Sequence, residues 1–230
     1  MRFSKATRIA IEDRIKKLYK DKKFRHSAGY FYKKHGDNVV WFDCGIYWYG
    51  DNNERRVSCG LNVKKYSYDD IWADILGERW DWLHRSLSLR VTGAFVTPFI
   101  TVGPECILEI TDDVDQLAQN AVDHGMKLLE KFDEKYTINE LIVDYFLHGK
   151  EFPDPDLQFK CYDNINFMST LAYIDMGQYD LAVECAKRYL SEQSEKDIQE
   201  ALGPRDYSTQ DTDTVIFCYR VIDKHGKEED

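Results

Sequence analysis

The chain has 230 residues, a net charge of −10, and 43% hydrophobic, 31% charged and 14% aromatic residues. A chain of this length buries about 70% of its unfolded surface, and the aromatic content excludes a disordered polypeptide. The acidic balance speaks against nucleic acid as a ligand, no run reaches the roughly 18 apolar residues of a membrane span, and Met1 to Lys23 lacks the unbroken apolar stretch of a secretory signal.

The first expected element is a helix over 4–21. Ile11, Ile15, Leu18 and Tyr19 share one face, and lysines and arginines fill the other. Residues 1–35 hold 12 Lys/Arg against 3 acids, whereas the remainder holds 19 against 38. A basic head on an acidic body fits three readings: a solvated helix balanced by the body, an anionic ligand at the head, or a cationic partner for the body.

The period then changes from helical to two. Segment 25–34 reads as a strand carrying Tyr30, Phe31 and Tyr32. Val40, Phe42, Cys44, Ile46 and Trp48 alternate along a second strand, and Val57, Cys59, Leu61 and Val63 along a third. The cluster Gly50-Asp51-Asn52-Asn53 marks a turn between the last two. A tight turn sets Val40 opposite Val63, Phe42 opposite Leu61, Cys44 opposite Cys59 and Ile46 opposite Val57. A slip of one residue would face apolar against polar throughout. The other face of this hairpin carries Trp41, Asp43, Tyr47 and Tyr49. Either a helix covers those rings or they form a recognition surface, since Tyr and Trp offer large contact area at low entropy cost.

Further along, Tyr68 to Leu76 reads as a short helix ended by Gly77, and 78–82 as a Trp-rich connector. Leu87, Leu89 and Val91 alternate as a fourth strand, and 94–102 reads as a fifth that Pro98 pushes to an edge or turns into a connection. From 112 onward the chain reads as helical. Val114, Leu117, Ala118, Ala121, Val122, Leu128, Leu129 and Phe132 form one stripe behind Asp112, Asp113 and Asp115. Thr137 and Glu140 make a capping box for a helix to about Leu147, and Pro153-Asp154-Pro155 reads as a linker. Helices follow around 195–202 and 211–223, before a polar tail from Gly226. The expected fold is therefore α+β: an N-terminal helix, a mainly antiparallel sheet of four or five strands within 25–102, and a helical C-terminal part. The expected organisation is an α+β domain over 1–150 and a helical extension over 151–230 packed on it.

Signatures of chemistry are absent. The sequence holds no G-x-G-x-x-G, P-loop, H-E-x-x-H or G-x-S-x-G. His84 and His124 are the candidate general bases, but neither has a sequence neighbour to activate as nucleophile. Asp112-Asp113-x-Asp115 lacks the glycine and distant glutamate of a calcium loop. Six scattered cysteines without a C-x-x-C or a Cys/His cluster read as free thiols in a reducing cytoplasm. No catalytic residue, metal or cofactor is expected.

Two resemblances accompany this reading. Residues 164–190, through Ala172, Tyr173, Gly177, Tyr179, Ala182 and Leu190, resemble one tetratricopeptide-type helix hairpin, with small residues where the helices touch and glycine at the turn. The order of a helix, the strand bearing Phe31-Tyr32-Lys33, an aromatic hairpin and late helices resembles, over 4–147, a group of bacterial domains some of which are immunity proteins encoded beside toxins. That likeness implies a cytoplasmic bacterial protein without catalytic residues; the absence of catalytic motifs, the acidic body and the surplus aromatics give the reading of a protein-binding module. Trp41, Asp43, Tyr47 and Tyr49 are the candidate contacts, taken from the hairpin pattern, and a basic toxin is the sharpest candidate partner for the acidic body. The alternative is an enzyme whose site is assembled from residues distant in sequence.

Overall fold

The computed structural model describes residues 4–49, 54–77, 86–92, 97–203 and 210–226, without the side chains of Tyr49, Gln210 and Asp211. The turn at 50–53, the connector at 78–82, His84, residues 94–96 and the tail beyond 226 lie outside that range. The chain divides into two compact units, each assembled from three segments. Met1–Lys64, Ile100–Tyr136 and Pro153–Lys160 make the first; Lys65–Phe99, Thr137–Phe152 and Cys161–Asp230 make the second. Residue 150, the expected boundary, falls inside a segment of the second unit.

The first unit is a sheet under two helices. Helix α1 (Lys5–Asp21) starts at Ser4, whose hydroxyl accepts from the Thr7 amide at 3.1 Å, and it buries Ile11, Ile15 and Tyr19 at i, i+4 and i+8. Strands β1 (Arg25–Ser27), β2 (Tyr30–His35), β3 (Asn38–Tyr49), β4 (Glu54–Lys65), β5 (Ile100–Glu109) and β6 (Gln158–Cys161) lie side by side in chain order in a six-stranded antiparallel sheet. The expected sheet had four or five strands; there are six among the described residues. Cys44 neighbours Cys59, whose thiol is among the causes that raise the Cys44 pKa, and Arg55 stacks 4.1 Å over Trp48. Both contacts join β3 and β4 residues that the expected pairing sets opposite each other.

Helix α4 (Val114–Lys135) begins at Asp113, whose carboxylate accepts from the Gln116 amide at 2.9 Å. It lies on the same sheet face as α1. Tyr19 stacks on Phe31 and Phe42 at 4.5 and 5.0 Å, while a Cβ at Gly125 would sit 2.8 Å from the Phe42 ring and 3.1 Å from the Cys59 sulfur. Glycine here lets α4 approach the sheet that closely. Each such aromatic pair contributes about 0.5–1.5 kcal/mol beyond its buried area.

The second unit is helical: α2 (Tyr66–Leu76), α3 (Leu87–Thr92), α5 (Ile138–Glu140) running on as a π-helical stretch Leu141–Leu147, α6 (Ile165–Asp175), α7 (Tyr179–Ser191), α8 (Glu195–Leu202) and α9 (Gln210–His225). Its core holds Trp72, stacked 5.0 Å from Phe217 and edge-on to Phe167 at 5.5 Å. Helices α6 and α7 form a hairpin with Ala172 and Ala182 fully buried and Gly177 turning at φ +71°.

Three expectations need correction. Leu87–Thr92 is a helix, not a strand; Arg90 in it is buried, donates to Asp70 at 2.5 Å and to the Tyr66 carbonyl at 2.8 Å, and stacks 3.9 Å over the Tyr66 ring. The strand expected over 94–102 starts at Ile100 and runs to Glu109, inside the sheet and past Pro98. Beyond the expected linker lies strand β6, and Asp154, inside that linker, is buried and accepts from Lys135 at 2.7 Å. Among the described residues no helix is long and apolar enough to cross a membrane.

Candidate functional site at the free end of the hairpin

The candidate residues lie along β3, and their surroundings change along its length. Trp41, opposite Tyr32, is only 2% exposed. Asp43, opposite Tyr30, is half-buried and accepts a short hydrogen bond from the Tyr47 hydroxyl. Burial, then that bond, pushes the Tyr47 phenol well above its ordinary range; burial and Asp43 also raise Tyr30. Tyr47 remains 39% exposed. The Tyr49 side chain lies outside the described residues. The structure thus brings Asp43 and Tyr47 together and sets Trp41 apart in the interior.

Trp48 behaves differently from the sequence expectation. Its parity puts it on the core face with Val40, Phe42 and Cys44, which are buried, yet Trp48 is 60% exposed. The Arg55 guanidinium covers one side of its ring, an arrangement worth about 0.5–1 kcal/mol at an exposed site. Nearby, Arg56 pairs with Glu54 at 3.0 Å and approaches Glu109 at 3.9 Å, and Ile107 is exposed.

A cleft of about 320 Å³ opens beside this end of β3. Arg8, Glu12, Ile15 and Lys16 of α1 form one wall. His26, Gly29 and Phe31 close it at the β1–β2 turn, and Cys44 to Tyr47 form the other wall. Arg8 uses its Nε on Glu12 at 2.7 Å, while Lys16 makes no ion pair with any described residue. Partial burial, then the nearby Lys16 charge, lowers the His26 pKa, so the ring is neutral at pH 7. The cleft therefore offers Lys16 and the Arg8–Glu12 pair at its rim, a net positive charge, and an apolar floor of Ile15, Phe31 and Ile46.

Below the cleft three thiols line up across the strands. Cys59 is paired with Cys106 in register and neighbours Cys44, and the Tyr19 hydroxyl lies 3.2 Å from the Cys59 sulfur. The neighbouring Cys59 side chain, then burial, raises the Cys44 pKa, and burial pushes Cys106 up to about 11. Thiols held protonated in this way are packing groups, not nucleophiles. Of the candidate bases, His124 places Nε2 2.8 Å from the Pro104 carbonyl oxygen, and His84 lies outside the described residues. Asp113 caps α4 and Asp115 pairs with Arg14 at 2.8 Å. The residues that sequence reasoning missed are Trp48, Arg55, Lys16 and His26. No protein-family profile, curated protein or solved structure matches this chain.

Proposed function

We propose that the chain is a non-catalytic protein-binding module whose contact surface is the free end of the β3–β4 hairpin. The observation that carries this reading is the exposure of Tyr47 and Trp48 at consecutive positions near the end of β3, one on each face of the strand, Trp48 stacked with Arg55 and Tyr47 bonded to Asp43. Trp, Tyr and Arg are the residues that dominate binding energy where they become fully desolvated. Both rings are held by polar neighbours before a partner arrives, which reduces the ordering cost of binding. The second unit holds 12 Lys/Arg against 23 Asp/Glu and the first 19 against 18. An acidic unit of this kind speeds encounter with a cationic partner. Neutralisation of a basic toxin is the sharpest form of this function.

A benzophenone amino acid at position 48 tests the reading. Irradiation in the native host should give one discrete protein adduct. The purified partner should bind the unmodified chain, and Tyr47→Ala with Trp48→Ala should weaken it by about 2 kcal/mol or more. No discrete adduct, or equal binding by the double variant, overturns the reading. The toxin form additionally requires that co-expression of this chain protects cells from a cationic toxin.

A further inference from the structure

Strand β3 is longer than the neighbour that pairs with it on one side. Its ladder with β2 runs from His35 opposite Asn38 to Tyr30 opposite Asp43 and stops there, because the chain turns at Ala28-Gly29 into β1. Residues 44–49 of β3 have β4 on one side and, among the described residues, no strand on the other. Of these, Cys44 to Tyr47 line the cleft together with Arg8, Glu12, Lys16 and His26.

An open edge of this kind is normally blunted by proline, by charged side chains or by a bulge. Residues 44–49 are Cys-Gly-Ile-Tyr-Trp-Tyr, with no proline and no charge. The edge is thus a ready template for another strand, and the cleft leaves room for it. The charge beside it selects the occupant. Two copies of this chain meeting edge to edge would bring two rims of net positive charge, each with Arg8 and Lys16 against Glu12, together, so self-pairing is opposed. A strand bearing Asp or Glu would meet Lys16, which has no ion pair among the described residues, and the part of the Arg8 guanidinium that Glu12 leaves open.

We infer that residues 44–49 of β3 take up an extended, acidic segment of a partner protein as an added strand, its side chains entering the cleft between α1 and β3. Main-chain hydrogen bonds then supply affinity, and the cleft and its cations supply selectivity. The inference rests on the protein-binding reading and specifies how part of the partner is held.

The test starts from a random twelve-residue peptide library displayed on phage and panned against the full chain. Enriched peptides should combine Asp or Glu with alternating β-branched or aromatic residues. Titrated into 15N-labelled chain, they should shift the amides of 44–48 and slow their hydrogen exchange. Alternate N-methylation of the peptide, which removes main-chain donors, should abolish binding. Arg8→Glu with Lys16→Glu, both solvent-exposed at the cleft rim, should weaken binding at least tenfold, and Glu12→Gln should strengthen it. Failure to enrich, peptides that shift amides elsewhere, or a dimer in solution that protects the same amides overturns the inference. So does phenylacetate shifting the cleft amides where no peptide does, since the cleft is then a small-anion site. A partner that crosslinks at position 48 while the 44–48 amides stay unprotected leaves the protein-binding reading standing and removes strand addition alone.

Discussion

Along β3, neighbouring aromatic residues have opposite energetic roles. Trp41 is 2% exposed, so Trp41→Ala should cost about 3–5 kcal/mol in urea denaturation. Trp48 is 60% exposed, so Trp48→Ala should cost no more than about 1 kcal/mol, chiefly the lost stacking of Arg55. Equal costs would mean that Trp48 belongs to the core. The thiols make a second prediction. Cys106 ionises near 9 in the unfolded chain and near 11 in the fold. Above pH 9 the unfolded state gains by losing the proton while the folded state still holds it. The stability due to the neutral thiol is therefore complete below pH 9 and lost by about pH 11. Cys106→Ala should flatten the decline in melting temperature across that window; an unchanged slope would show that the thiol does not titrate there. Alternation alone assigned the β3 residues their faces, and it did so correctly for Val40, Phe42 and Cys44. It could not show how far the cover over that face extends.

At the level of elements, lengths supply what alternation lacks. Strand β3 has 12 residues and α1 has 17. At roughly 3.4 Å per strand residue the strand spans about 40 Å; at 1.5 Å per helical residue the helix spans about 25 Å. Helix α4, on the same face, spans about 33 Å; β3 is longer than either helix, and Trp48 is near its end. The signal was in the sequence, but only once the elements were counted together. The misread elements are the short ones. Leu87–Thr92 has six residues, too few to separate a period of two from 3.6 when Leu87, Leu89 and Val91 are the apolar ones. Strand β6 has four residues with only Phe159 and Cys161 apolar, and it is held by the sheet rather than by its own pattern. Close approach of α4 to the sheet was also invisible, because Gly125 reads as an ordinary helix blemish. Gly125→Ala should raise intrinsic helix propensity by about 1 kcal/mol. It should nevertheless destabilise the protein by about 1–3 kcal/mol, because the new methyl meets Phe42 and Cys59. A higher melting temperature for this variant would mean that α4 sits further from the sheet.

The whole molecule is organised by chain crossings that a linear reading does not reveal. Proline at 153 and 155 suggested a boundary, yet this stretch returns to the sheet unit: Asp154 accepts from Lys135 of α4, and β6 joins beside β5. Conversely, α2, α3 and α5, which precede residue 150, belong with α6 to α9. Trp72 of α2 stacks on Phe217 of α9, a pairing separated by most of the chain. A cut at 150 would therefore damage both units. The fragment 1–150 loses β6, which leaves β5 as an open edge prone to aggregation, and it strips Trp72 of its packing against Phe167 and Phe217. The fragment 151–230 keeps α6 to α9 without α2. Neither fragment should give a dispersed 1H–15N spectrum, while the full chain should unfold with coincident far- and near-UV transitions. A cooperatively folded 1–150 would show instead that the sheet unit is self-sufficient without its last strand, and the three-segment assembly would then be an arrangement of convenience rather than a requirement for folding.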